Sequence, residues 1–126
     1  MRRWRSRWES LTEMPDLPSG TVTFLFTDVE GSTRLLHELG AEGYANALAG
    51  HRRVIREACA HHDGVEVDTQ GDAFFFAFPT APGATAASAA MTEALAAGPI
   101  QVRIGLHTGA PLLTDEGYVG DDVHFA

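Results

Sequence analysis

At 126 residues, 44% hydrophobic and 21% charged, the chain has room for one domain with a modest core and not for two. No apolar run approaches the roughly 18–20 residues of a membrane helix, which argues against membrane insertion, and a net charge of −8 argues against a nucleic-acid or anionic-membrane surface. One cysteine, Cys59, excludes an internal disulfide and fits a reducing, cytoplasmic setting.

Met1 to Glu13 is basic and carries Trp4 and Trp8, but lacks the apolar centre of a signal peptide. Residues 1–18 read as a disordered leader or an extension ahead of a start at Met14, with a short partner-binding helix as the alternative. Pro15, Pro18 and Gly20 separate this leader from a domain expected over residues 19–126. Thr21 to Asp28, dense in β-branched and aromatic residues, predicts a buried strand. Gly31-Ser32-Thr33 breaks it and offers an N-cap for a helix carrying Leu35, Leu36 and Leu39. After Gly40, the spacing of Tyr44, Leu48, Ile55 and Cys59 predicts a second amphipathic helix to about His62.

Val65 to Thr69 and Ala73 to Phe78 read as strands around a Gln70-Gly71-Asp72 turn. Thr80 and Pro82 open an alanine-rich helix to about Ala97, closed by Gly98-Pro99. Ile100, Val102, Ile104 and Leu106 alternate with polar residues or glycine, the pattern of a half-buried strand. Residues 109–126 read as a hairpin and the opening of a helix. The order β-α-α-β-β-α-β is that of an α+β fold, the ferredoxin-like split βαβ: an antiparallel sheet with helices on one face and the other face free for a ligand or partner. That topology hosts many functions and settles none.

Its first and third strands are neighbours, so Asp28 and Asp72 can converge at one end of the sheet. Hard carboxylate ligands suit Mg²⁺ or Mn²⁺, which take one or two carboxylates together with substrate phosphates. Val29 to Thr33 adds backbone N–H groups at a helix start, where a polyphosphate is favoured. Taken singly, Asp28 reads equally as a helix cap and Asp72 as a turn residue. The histidines do not suggest zinc: His61 and His62 are adjacent, His51 and His62 lack the i, i+4 spacing, and Cys59 has no second thiol.

Phe24-Leu25-Phe26-Thr27-Asp28-Val29-Glu30-Gly31-Ser32-Thr33 resembles the first metal-binding motif of class III adenylyl and guanylyl cyclases, and Thr69-Gln70-Gly71-Asp72-Ala73-Phe74 resembles the second. Arg103 to Gly109 and Gly120-Asp121-Asp122-Val123-His124 are similar to later stretches of that family, in order, so the likeness covers about residues 19–126. GGDEF-type and polymerase palm domains share the topology, but no GGDEF-like turn is present. The resemblance implies a nucleotidyl cyclase that converts ATP or GTP to a 3′,5′-cyclic nucleotide and pyrophosphate. Two divalent ions, Mg²⁺ or Mn²⁺, would be held by Asp28 and Asp72 with the Val29 backbone nearby, and Gly31, Ser32, Thr33 and Gly71 would meet the substrate. An acidic body handling an anionic nucleotide needs such cations. Cyclases of this kind are head-to-tail homodimers, in which the partner chain supplies a ribose-orienting asparagine and a transition-state arginine.

The chain departs from that pattern at the base-reading pair, where the family's adenine-selecting lysine and aspartate fall at Asp68 and Gly117. With no lysine anywhere in the chain, adenine selection by that pair is lost. Asp68 opposite Gly117 is closer to a guanine-reading pair, or else Asp68 is a solvated strand-end carboxylate. The ribose-orienting asparagine falls at His124, which can donate one hydrogen bond. The transition-state arginine is implied four residues further on, beyond Ala126, so the resemblance implies a chain truncated before its last site elements, with weak or no activity of its own. Two functions follow: a cyclase domain active when dimeric and complete, or a catalytically degenerate module that binds nucleotide or dimerises without turnover. A truncated gene remnant is the third.

Overall fold

The structure is a computed structural model and describes residues 17–115 and 117–119. Strand β1 (Val22–Val29) is followed by helix α1 (Ser32–His61), strands β2 (Val65–Gln70) and β3 (Ala73–Phe78), helix α2 (Ala81–Leu95) and strand β4 (Val102–Gly109). Two three-residue strands, β5 (Leu112–Thr114) and β6 (Gly117–Val119), pair as a separate hairpin. The main sheet runs β2-β3-β1-β4, with every neighbouring pair antiparallel. This is the expected α+β order, with β1 and β3 adjacent. The anticipated pair of helices is present as the two halves of α1, which meet in a kink at Gly40, whose φ of 75° and ψ of 168° only a residue without a Cβ adopts easily.

Alternation along β1 builds two cores. Leu25 faces the helices and joins Phe74, Phe76 and Phe78 with Ile55, Cys59, Ala84, Ala87 and Met91. Val22 and Phe24 face the other way, packing with Val67, Phe75 and Ala77. Here the expectation of a free face fails. Leu17, Phe26 and Tyr118 pack on that second cluster, and the Tyr118 hydroxyl donates to the Pro18 carbonyl at 2.7 Å. The physical reason is the composition of β1 and β3, which alternate between two apolar sets rather than between apolar and polar. The two central strands, β1 and β3, are thereby buried on both faces, while β4 stays half-exposed.

Other expectations shift at their edges. The Ile100 segment is not strand at its start: Ile100 is buried with Val29 and Leu35, and β4 begins at Val102 and continues to Gly109. Helix α2 is capped by Thr80, whose Oγ1 accepts the Gly83 N–H at 3.1 Å, with Pro82 in the first turn. Within the Gly31-Ser32-Thr33 stretch expected to cap α1, the cap is Gly31, in the left-handed conformation and with no side-chain cap bond. The hairpin expected after Gly109 is present as β5–β6, while the helix expected beyond it lies outside the described residues.

Candidate active site

Antiparallel register sets Asp28 of β1 directly opposite Arg103 of β4. The guanidinium grips both carboxylate oxygens: Nε donates to Oδ1 at 2.7 Å and a terminal nitrogen to Oδ2 at 2.8 Å. Both side chains remain open to solvent, Asp28 at 44% and Arg103 at 61% exposure. The Arg103 pKa is raised, first by its hydrogen bond to Asp28 and by that group's charge, and further by the charges of Glu30 and Asp72. One cation therefore feels both of the carboxylates that the sequence singled out.

Asp72 follows Gly71, which sits at φ 59° in the β2–β3 turn. Two side chains of α1 reach this turn. The Tyr44 hydroxyl donates to Asp72 Oδ2 at 3.4 Å, and the Arg52 guanidinium donates to the Gly71 carbonyl. Burial, and then the Asp72 charge, push the Tyr44 phenol above its ordinary pKa. His51, between them on the helix, is only 2% exposed, and neither ring nitrogen has a hydrogen-bond partner among the described residues. Burial lowers its pKa; the Asp72 charge opposes this and Arg52 reinforces it.

The start of α1 follows Asp28 closely in the chain. Gly31, at φ 65° and ψ 38°, turns the chain so that the amides of Ser32 and Thr33 stand at an open helix N-terminus. The Arg34 guanidinium lies over Gly31, where an added Cβ would come within 3.4 Å of it. The Glu30 N–H donates to the Gln101 carbonyl at 2.9 Å, tying this loop to the entry of β4. Val29 buries its side chain with Leu35 and Ile100 and pairs with Val102 at the end of the β1–β4 ladder.

Asp68 is not a solvated strand-end carboxylate. It is fully buried, because an irregularity between Glu66 and Asp68 turns it onto the face shared with Phe75. Its Oδ1 accepts the Thr69 N–H at 2.8 Å and its Oδ2 the Gln70 side-chain amide at 3.2 Å. Gly117 opens β6 at φ 114°, where its carbonyl accepts the Thr114 hydroxyl at 2.9 Å. His124 lies outside the described residues. Cys59 is a core thiol whose pKa burial, followed by the Glu66 charge, pushes up to about 12.

No group of three or more His, Cys, Asp or Glu side chains placed to hold a metal occurs among the described residues. Two carboxylates with hard oxygen donors nevertheless fit Mg²⁺ or Mn²⁺, which complete their shells with water and phosphate oxygens. Sequence reasoning missed Arg103, Tyr44, His51 and Arg52. Sliding β4 against β1 in antiparallel register would have found the first. Tyr44 lies on the helix stripe already read as core, His51 is weighed from sequence only as a zinc ligand, and Arg52 is not singled out.

A split βαβ sheet that carries one acidic group at the end of β1 and another in the β2–β3 turn defines the class. The chain belongs to the adenylate and guanylate cyclase catalytic domain family, whose model matches residues 14–122. It is 42% identical over 109 residues to the Mycobacterium tuberculosis (strain ATCC 25618 / H37Rv) protein Rv0891c, a match covering 85% of this chain and 38% of that one. The chain thus spans well under half the length of that relative. Among solved structures, an adenylate cyclase of Trypanosoma brucei in its monomeric state superposes with a TM-score of 0.74 at 23% identity, over 91% of this chain and 70% of that one. The guanylate cyclase domain of RhGC from Catenaria anguillulae, in complex with GTP, superposes with a TM-score of 0.71 at 20% identity, over 85% of this chain and 70% of that one. Likeness at that identity concerns the fold. No described helix is long and apolar enough to cross a membrane.

Proposed function

We propose that this domain cyclises a purine nucleoside triphosphate, ATP or GTP, in a homodimer, with Asp28 and Asp72 as the metal-binding carboxylates. The observation that carries this reading is the register of β1 on β3: Thr27 pairs with Phe74, so Asp28, one residue on, and Asp72, two residues back, share one end of that ladder, and Arg103 chelates Asp28 there. Bound Mg²⁺ or Mn²⁺ would polarise the attacking 3′-hydroxyl and neutralise charge on the leaving phosphate. In the reaction the 3′-hydroxyl would lose its proton to water as its oxygen forms a bond to the α-phosphorus, the bond from that phosphorus to the α–β bridging oxygen would break, and pyrophosphate would depart with that electron pair. The backbone from Val29 to Thr33 receives phosphate oxygens at the helix start. With Asp28 holding a cation, Arg103 would keep its positive charge beside the polyphosphate. His124 of the partner chain is the candidate for orienting the ribose.

The test is thermal unfolding with Mn²⁺ and a non-cyclisable nucleoside triphosphate, since a ligand of the folded state raises its melting temperature. Asp72→Ala should remove that rise while leaving the unliganded melting temperature near its starting value. An equal rise in the variant sinks the assignment. A nucleotide-binding module without turnover is the second reading, favoured by Asp68, which already spends both oxygens inside the chain. It predicts the same thermal shift with no cyclic product.

A further inference from the structure

The Asp72 turn is held from behind by one helix, and the contacts involved have no part in the chemistry assigned above. Helix α1 starts three residues after Val29 closes the Asp28 strand, breaks at Gly40, and then runs past the β2–β3 turn. Beyond the break, Tyr44 and Arg52 stand eight residues apart, about 12 Å along the axis at 1.5 Å per residue. They meet adjacent residues of the turn: the phenol reaches the Asp72 carboxylate and the guanidinium reaches the Gly71 carbonyl.

We infer that Tyr44 is a positioning residue for Asp72, orienting its carboxylate toward the cation, while Arg52 fixes the backbone beneath it. The inference rests on the reading of Asp72 as a metal ligand. A two-residue turn led by a left-handed glycine fixes the Asp72 backbone and not its side chain, whose aim is set by its contact with the helix. The phenol hydroxyl donates to Oδ2, so that oxygen is turned toward the helix and Oδ1 is presented away from it. Tyr44 is itself fixed by packing with Ala47 and Leu48 against Val29, Leu35 and Ile100. That same cluster seats the end of β1 beside Asp28. One small apolar cluster thus references both carboxylates to a common frame, and the break at Gly40 lets the lower helix settle on the turn independently of the upper one.

Groups that orient a ligating carboxylate are typically worth 10–100-fold in metal affinity. The experiment measures Mn²⁺ affinity of the complete chain by electron paramagnetic resonance, for the unsubstituted protein, Tyr44→Phe, Asp72→Ala and the double variant. Tyr44→Phe removes one oxygen and keeps the ring in its cluster. It should weaken Mn²⁺ binding by about tenfold with the metal-free melting temperature unchanged, and should add nothing in the Asp72→Ala background. Unchanged affinity in Tyr44→Phe, or an equal loss with and without Asp72, overturns the inference. If the unsubstituted protein and Asp72→Ala bind Mn²⁺ alike, the metal reading of Asp72 itself fails, a result separable from the first. Arg52→Met supplies a second handle. It should broaden the spectrum of bound Mn²⁺ by loosening the turn, and an identical spectrum would count against the brace.

Discussion

Arg103 holds Asp28 by both carboxylate oxygens, with N–O distances of 2.7 and 2.8 Å across adjacent strands. A divalent cation that is to use Asp28 must displace a bidentate guanidinium, a stronger competitor than water. Arg103→Gln should therefore tighten Mn²⁺ binding severalfold in the absence of nucleotide, by calorimetric titration. The melting temperature should change little, since both partners are largely exposed. Weaker Mn²⁺ binding in the variant would mean that Arg103 orients Asp28 rather than competing for it.

His51 makes stability depend on pH. Its folded-state pKa lies below the ordinary 6.5, so between the two values the unfolded chain binds more protons than the folded one. Stability contributed by the neutral ring is complete above about 6.5 and is lost as pH falls below it. Urea unfolding at pH 7.5 and pH 5.5 should show this loss, and His51→Leu should reduce it. The same pH slope in His51→Leu would assign the effect to other groups.

Gly64 leaves no room for a side chain. A Cβ there would stand 2.5 Å from Phe78 Cζ and 2.7 Å from its Cε2, inside the principal core. Gly64→Ala should destabilise the domain by about 1–3 kcal/mol through overpacking. Chemical denaturation reads this directly, and an unchanged midpoint would mean that Phe78 has another rotamer within easy reach.

Asp68 should not tolerate lysine. The position is fully buried on the face of Val67 and Phe75, and its oxygens serve Thr69 and Gln70. Asp68→Lys strands a cation there and breaks both bonds, which should cost about 3 kcal/mol or more. Asp68→Asn, which keeps one acceptor, should cost clearly less. Equal melting temperatures for the two would show that the lysine escapes to solvent.

The fold was legible because its signals are local. Thr21 to Asp28 and Ala73 to Phe78 are too rich in aromatic and β-branched residues to be anything but strand, and Gly71 marks the turn between β2 and β3. Two errors came from properties that a linear reading does not hold. Whether the second face of the sheet is free depends on Leu17, just ahead of β1, and above all on Tyr118, which is far from β1 in sequence yet packs on the same cluster. Whether Asp68 is wet depends on an irregularity of register against β3. The two acidic residues were found from their places at a strand end and a turn. Their partners Arg103 and Tyr44 were not, because cross-strand register and helix rotation must be known before either contact exists.

The position of β1 has a consequence for synthesis. Its two neighbours are β3 and β4, and its first residue, Val22, pairs with Gly109. At roughly 5–20 residues per second, some 4–16 s separate the making of the end of β1 from the making of its last partner. During that interval VTFLFTDV has one long edge unpaired, with no proline and a single charge to discourage a foreign strand. A ribosome that pauses within α2 or early β4 therefore leaves a sticky edge waiting. Slow codons or cold in that window should lower the soluble yield of this domain more than the same delay placed before β1.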